Sequence, residues 1–283
     1  MRIGIQQTAF GETSLEESLS RARLAGAEGL GLCYRTQEEA LALEDPRYIL
    51  KTRSLFERFE LSITGLHLGV LCLDQSLIGP APVVSRSVNL IEKALTAAAQ
   101  LGKPDVIVPF FGKNRIELPK EFDTAGMAFS TVAQAAEDLG VTLAIESSLH
   151  LGQLQQFLAG CGSDFVKVCL DTGDVTACRH DPVSMISGLG LSGIAQVHFR
   201  DVRLASRTPP DFNVRMGRGN VDFRGVAGML HALGYDGWVV LETPPGDDDG
   251  QIVSLHVDDA RNLLAQGRDR EPSDDHAVEH ASS

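Results

Sequence analysis

Several short apolar runs in this chain end on a side chain that can carry charge or hold a metal. Val141-Thr-Leu-Ala-Ile closes on Glu146, Phe165-Val-Lys-Val-Cys-Leu on Asp171, and Trp238-Val-Val-Leu on Glu242. Ala195-Gln-Val leads to His198, and Ile63-Thr-Gly-Leu leads to His67. A carboxylate at the end of a buried strand costs free energy unless something pairs with it. Taken singly, each of these residues is satisfied by an ion pair or a capped strand end. Three carboxylates converging with one imidazole repel one another, and a divalent cation resolves that repulsion. The donor set suits Mn2+, Mg2+, Co2+ or Zn2+, and its oxygen ligands favour the first two.

Convergence requires an element order that brings strand ends together. Apolar runs recur at residues 2–6, 29–33, 61–68, 105–110, 141–146, 165–171, 194–199 and 237–242, and most read as strands buried on both faces, as in a parallel sheet. Helical stretches separate them. Ser14-Leu-Glu-Glu17 is a capping box opening a run to about Ala27. Ser85–Leu101, Phe122–Leu139 and Phe223–Leu233 each stop at a glycine. This alternation over about 265 residues predicts a single (β/α)8 TIM barrel, a fold of roughly 250 residues. A doubly wound open sheet would place a glycine-rich phosphate turn after an early strand, whereas Gln6-Gln-Thr-Ala-Phe10 stands there. The expected domain is residues 1–265. Residues 266–283 are polar and aperiodic and are expected to form a disordered tail, in which His276 and His280 are read as solvated rather than as a metal pair.

Composition narrows the function. The 283 residues are 43% hydrophobic and 22% charged, ordinary for a globular protein. The net charge of -13 argues against a nucleic-acid groove, which needs clustered Lys and Arg. No apolar run reaches the roughly 20 residues of a membrane span. Met1-Arg-Ile-Gly-Ile lacks the parts of a signal peptide. Five cysteines without CxxC spacing fit reduced thiols. A cytoplasmic protein is expected, with no membrane or nucleic-acid partner.

Glu146, Leu170-Asp171-Thr-Gly173, His198-Phe-Arg-Asp201, Gly217-Arg-Gly-Asn-Val-Asp-Phe223 and Leu241-Glu242 together resemble the sugar phosphate isomerase/epimerase family. These are the xylose isomerase-like TIM barrels, including keto-sugar epimerases, hydroxypyruvate isomerases and AP endonucleases. The resemblance spans about residues 1–265. It implies that Glu146, Asp171, His198 and Glu242 ligate one divalent metal, and that Glu146 and Glu242 are also the acid/base pair. Homo-oligomers are common in the family. The endonuclease branch needs a larger ligand set and a DNA-binding surface, which this acidic chain does not offer.

Further residues tune the expectation. His67 matches a strand-three histidine that often faces substrate in the family; a core histidine bonded to backbone is the alternative. Asp201 matches a recurring acidic residue that orients a ligand, or else forms a plain salt bridge. Residues 201–220 carry Arg203, Arg207, Arg215 and Arg218 against Asp201 and Asp211. Arginine forks match phosphate or carboxylate geometry. Arg203 and Arg218 are therefore candidates for an anionic substrate group, unless this loop pairs with Asp247–Asp249 or with another subunit. Trp238, starting an apolar run, reads as core. The family commonly has histidine or asparagine at the position of Asp174, here a candidate substrate contact, and many relatives have glutamate at Gly31, where the missing side chain either leaves room for a bulkier substrate or marks lost activity.

The expected enzyme is a divalent-metal-dependent isomerase or epimerase. Its substrate is a small keto-sugar, polyol or keto-acid, phosphorylated or not. A metal between a substrate carbonyl and its neighbouring hydroxyl acidifies the intervening C–H, and carboxylates on opposite faces move the proton. The same residues would serve a lyase or dehydratase, and a non-catalytic ligand-binding barrel is the rival reading.

Overall fold

The computed structural model describes residues 1–73, 76–244 and 251–267. Eight parallel strands close into a barrel in sequence order: β1 (Arg2–Gln6), β2 (Gly29–Cys33), β3 (Ser62–His67), β4 (Asp105–Phe110), β5 (Leu143–Ser147), β6 (Val166–Asp171), β7 (Ile194–Phe199) and β8 (Trp238–Leu241). β1 joins β8 through Arg2 opposite Trp238 and Ile5 opposite Leu241. Each apolar run of the sequence therefore became a strand, because a barrel strand is covered on both faces and reads as continuous hydrophobicity.

The outer layer comprises α1 (Leu15–Leu24), α2 (Gln37–Leu41), α3 (Pro46–Phe59), α4 (Ala81–Gln100), α5 (Pro119–Leu139), α6 (Leu151–Cys161), α7 (Thr172–Ala177), α8 (Pro182–Gly193), α9 (Phe223–Ala232) and α10 (Gln251–Gly267). The Ser14 hydroxyl caps α1 by accepting from the Glu17 N–H at 3.2 Å. α4 and α5 start earlier than their apolar periodicity suggests, each with proline in its first turn, where a missing N–H costs nothing. α5 ends on Gly140 in the left-handed conformation. Behind β4, Phe110, Phe129 and Phe157 pack with ring centroids 5.1–6.2 Å apart. α10 continues to Gly267, so residues 266 and 267 close a helix instead of opening a tail. The rest of the expected tail, with His276 and His280, lies outside the described residues, as do Asp247–Asp249.

Inside the barrel, β1 and β2 are bare where β3 is not. A Cβ on Gly4 or Gly29 would sit 2.6 or 2.7 Å from Thr64 Cγ2, and one on Gly31 would collide with Gln6 Oε1. The space at Gly31 is thus filled by the buried Gln6 side chain, not left open for a larger substrate. Among the described residues no helix is long and apolar enough to cross a membrane.

Candidate functional site

Glu146 lies in β5, and Asp171 and His198 end or nearly end β6 and β7. Glu242 lies one residue past β8, still held in line by its N–H donating to the Phe199 carbonyl at 3.1 Å. One ligand atom from each of these four side chains falls within 4.8 Å of the others. His198 Nδ1 is 3.0 Å from Glu146 Oε1 and 3.3 Å from Glu242 Oε2. It meets neither at hydrogen-bonding angles, so this buried nitrogen has no hydrogen-bond partner. Asp171 Oδ2 is likewise buried and unpartnered, while its Oδ1 accepts the Asp174 N–H at 2.6 Å. Buried polar atoms are normally satisfied. Two orphans facing two further carboxylates fit the donor set of a divalent cation.

The side chains of the cluster shift one another's charge. Burial pushes the Asp171 carboxyl up, and the neighbouring Asp174 and Glu242 carboxylates add to the rise. Burial also works against charge on Glu146, but the His67 and His198 imidazoles outweigh it and hold that carboxyl below its ordinary range. Both histidines are raised against the effect of burial, His67 by Cys33 and Glu146 and His198 by Cys169 and its two carboxylates.

His67 joins the cluster from β3. Its Nε2 is 2.9 Å from Glu146 Oε2, and its Nδ1 is 3.6 Å from Cys33 Sγ. It is thus bonded to a site carboxylate, not to backbone. Asp174 lies at the rim, its carboxyl pushed up to about 7 by burial against the pull of Arg200.

Three other expected residues are not among the four clustered side chains. Asp201 is buried, and its carboxylate accepts N–H groups from Val202 at 2.8 Å, Gly219 at 2.7 Å and Val221 at 3.3 Å. It fastens the loop after β7 to itself. Arg203 is exposed and lies 3.8 Å from Asp211, and Arg218 is exposed on the same loop. Arg215 of that loop pairs with Asp259 of α10 at 2.9 Å. Trp238 sits at the opposite, N-terminal end of β8, under the Arg2 guanidinium at 4.0 Å.

The sequence reading passes over Arg200. Its Nη1 lies 3.1 Å from Glu242 Oε1 and 3.6 Å from Asp174 Oδ2, and its guanidinium stacks 4.1 Å from the Phe212 ring. It also passes over Gln196, whose Oε1 is 3.2 Å from His198 Nε2 and whose Nε2 donates to Asp105 Oδ2 at 2.7 Å and to the Thr64 carbonyl at 3.1 Å. A signal for both was present. Residues 196 and 198 alternate along β7, and 200, one residue past its end, continues that two-residue period.

With this geometry in view, comparison with known proteins is decisive. The family model for the xylose isomerase-like TIM barrel matches residues 19–254. The chain belongs to that family. The 2-epi-5-epi-valiolone 7-phosphate 2-epimerase of Actinoplanes sp. is 24% identical over 259 residues, covering 88% of this chain and 90% of the relative. Among solved structures, an L-ribulose 3-epimerase superposes with a TM-score of 0.78 at 20% identity, covering 94% of this chain and 95% of its own. The D-psicose 3-epimerase of Clostridium cellulolyticum H10, solved with D-tagatose, gives 0.76 at 17% identity, covering 93% and 99%.

Proposed function

We propose that this barrel is a divalent-metal-dependent epimerase or isomerase of a small keto-sugar, or of a related polyol or keto-acid. The observation that carries the reading is the orphaned His198 Nδ1, flanked by Glu146 and Glu242 and faced by Asp171, in a family whose relatives include sugar epimerases. Glu146, Asp171, His198 and Glu242 would hold one metal ion, which would polarise a substrate carbonyl and its neighbouring hydroxyl.

The protein's own groups do the rest. One of Glu146 and Glu242 takes the proton from the carbon beside the carbonyl, whose C–H electron pair is drawn toward the carbonyl oxygen. The other returns a proton from the opposite face, inverting that carbon, or to the former carbonyl carbon while the neighbouring hydroxyl passes its proton to the former carbonyl oxygen, moving the carbonyl. Arg200 keeps Glu242 ionised and in place, while His67 does so for Glu146. Arg203 and Arg218, on the loop beyond, are the side chains that would meet a phosphate or carboxylate on a longer substrate.

Incubation with keto-sugars such as D-tagatose in deuterated buffer, with Mn2+ added, tests this. Deuterium should enter at the carbon beside the carbonyl, at a rate reduced at least about 10²-fold in Glu146→Gln and in Glu242→Gln. Elemental analysis should find about one divalent ion per chain, lost in Asp171→Ala. Full exchange in both glutamine variants would overturn the acid/base assignment. A chain that takes up no Mn2+, Mg2+, Co2+ or Zn2+ would overturn the metal.

A further inference from the structure

We propose that Gln196 is a positioning residue that fixes which nitrogen of His198 faces the four-ligand cluster; this rests on the metal reading above. The Thr64 carbonyl can only accept a hydrogen bond. Gln196 Nε2 lies 3.1 Å from it and 2.7 Å from Asp105 Oδ2, so the amide NH2 must point toward β3 and β4. The amide oxygen is therefore the atom turned to His198, 3.2 Å from its Nε2. An amide oxygen has no proton to give. His198 Nε2 must donate, and in the neutral imidazole the electron pair then lies on Nδ1. Nδ1 is the orphaned nitrogen between Glu146 and Glu242.

The relay is buried and anchored at its far end. Gln196 is fully buried, as is His198. Asp105 opens β4 at the end of the barrel away from the site, so the contact reaches from the barrel floor to the ligand cluster. A methionine at 196 would fill similar volume while offering no acceptor. Histidine ligands depend on such partners for orientation, and losing one typically weakens metal affinity about 10- to 100-fold.

The test uses the full chain with Mn2+ as probe. Gln196→Met should weaken Mn2+ binding about 10- to 100-fold in a direct titration, with the thermal unfolding of the metal-free protein recorded alongside. Histidine 15N spectra of Zn2+-loaded protein should show the His198 proton on Nε2 and coordination at Nδ1. Unchanged Mn2+ affinity in Gln196→Met, or coordination through Nε2, overturns the proposal. If the unaltered chain binds no divalent ion, the metal reading fails by itself. The neutral imidazole at alkaline pH then still reports on Gln196: a proton on Nε2 supports its role, and a proton on Nδ1 overturns it.

Discussion

Arg200 is the residue on which the charge of the site turns. Glu146, Asp171, Asp174 and Glu242 crowd one strand-end cluster, and Arg200 is the guanidinium that touches two of them. Its own charge is secured, since Glu242 and the neighbouring carboxylates outweigh burial and raise it further. Phe212 holds the plane of the guanidinium from the other side. Arg200→Met should therefore lower kcat by about 10²-fold, the low end of what a misplaced acid/base group costs. Arg200→Lys should recover only part, because an ammonium cannot both bridge two carboxylates and stack on a ring. Steady-state kinetics separate this role from substrate contact. A rise in KM with unchanged kcat would show that Arg200 binds substrate and does not position Glu242.

At the level of elements, the loop between β7 and α9 presents Phe212 to Arg200, and Asp201 is what shapes that loop. Asp201→Ala would strip acceptors from the N–H groups of Gly219 and Val221. An unsatisfied buried donor costs about 1–3 kcal/mol. The expected outcome is a lower melting temperature and faster amide exchange in residues 202–221, while divalent-metal affinity stays within a few-fold. Loss of metal binding with an undisturbed loop would return Asp201 to the site. The sequence carried enough to foresee this. Side chains alternate along a strand, and extending the period of β7 past Phe199 puts Arg200 with His198 and Asp201 with Phe199. The family resemblance drew Asp201 toward the substrate, as the arginine-rich loop drew Arg203, and the two-residue period turned Asp201 away. Strand ends were legible because burial on both faces leaves an unbroken apolar run closed by one polar residue. Helix starts were less so: α4 opens on Ala81-Pro-Val-Val with no side-chain cap to announce it. The Gln6 packing over Gly31 and the Arg200–Phe212 stack were not legible, since both depend on how distant segments meet in three dimensions.

For the molecule as a whole, the interior of the closed barrel carries an electrostatic cost at the end opposite the candidate site, and pH reveals it. Asp105 opens β4, and burial pushes its carboxyl from the ordinary 3.8 up to about 6, against the hydrogen bonds from Gln196 and Thr142 and the charge of Lys167. Below pH 4 the group is protonated whether the chain is folded or not, and it has no effect on stability. Between about pH 4 and 6 the unfolded chain loses this proton while the folded chain keeps it. Folding then binds a proton, and stability falls as pH rises through that window. Above pH 6 both states are ionised and the loss is complete. Asp105→Asn cannot ionise and still offers Gln196 an amide oxygen. Measured by denaturant unfolding, its stability relative to the parent should rise from pH 4 to pH 6 and level off above. Because a barrel with no sheet edge unfolds as a unit, the change should appear equally by circular dichroism and by Trp238 fluorescence. A relative stability that is flat across the window, or that falls with pH, would mean that Asp105 is already ionised in the fold at pH 4, held so by Lys167 and Gln196.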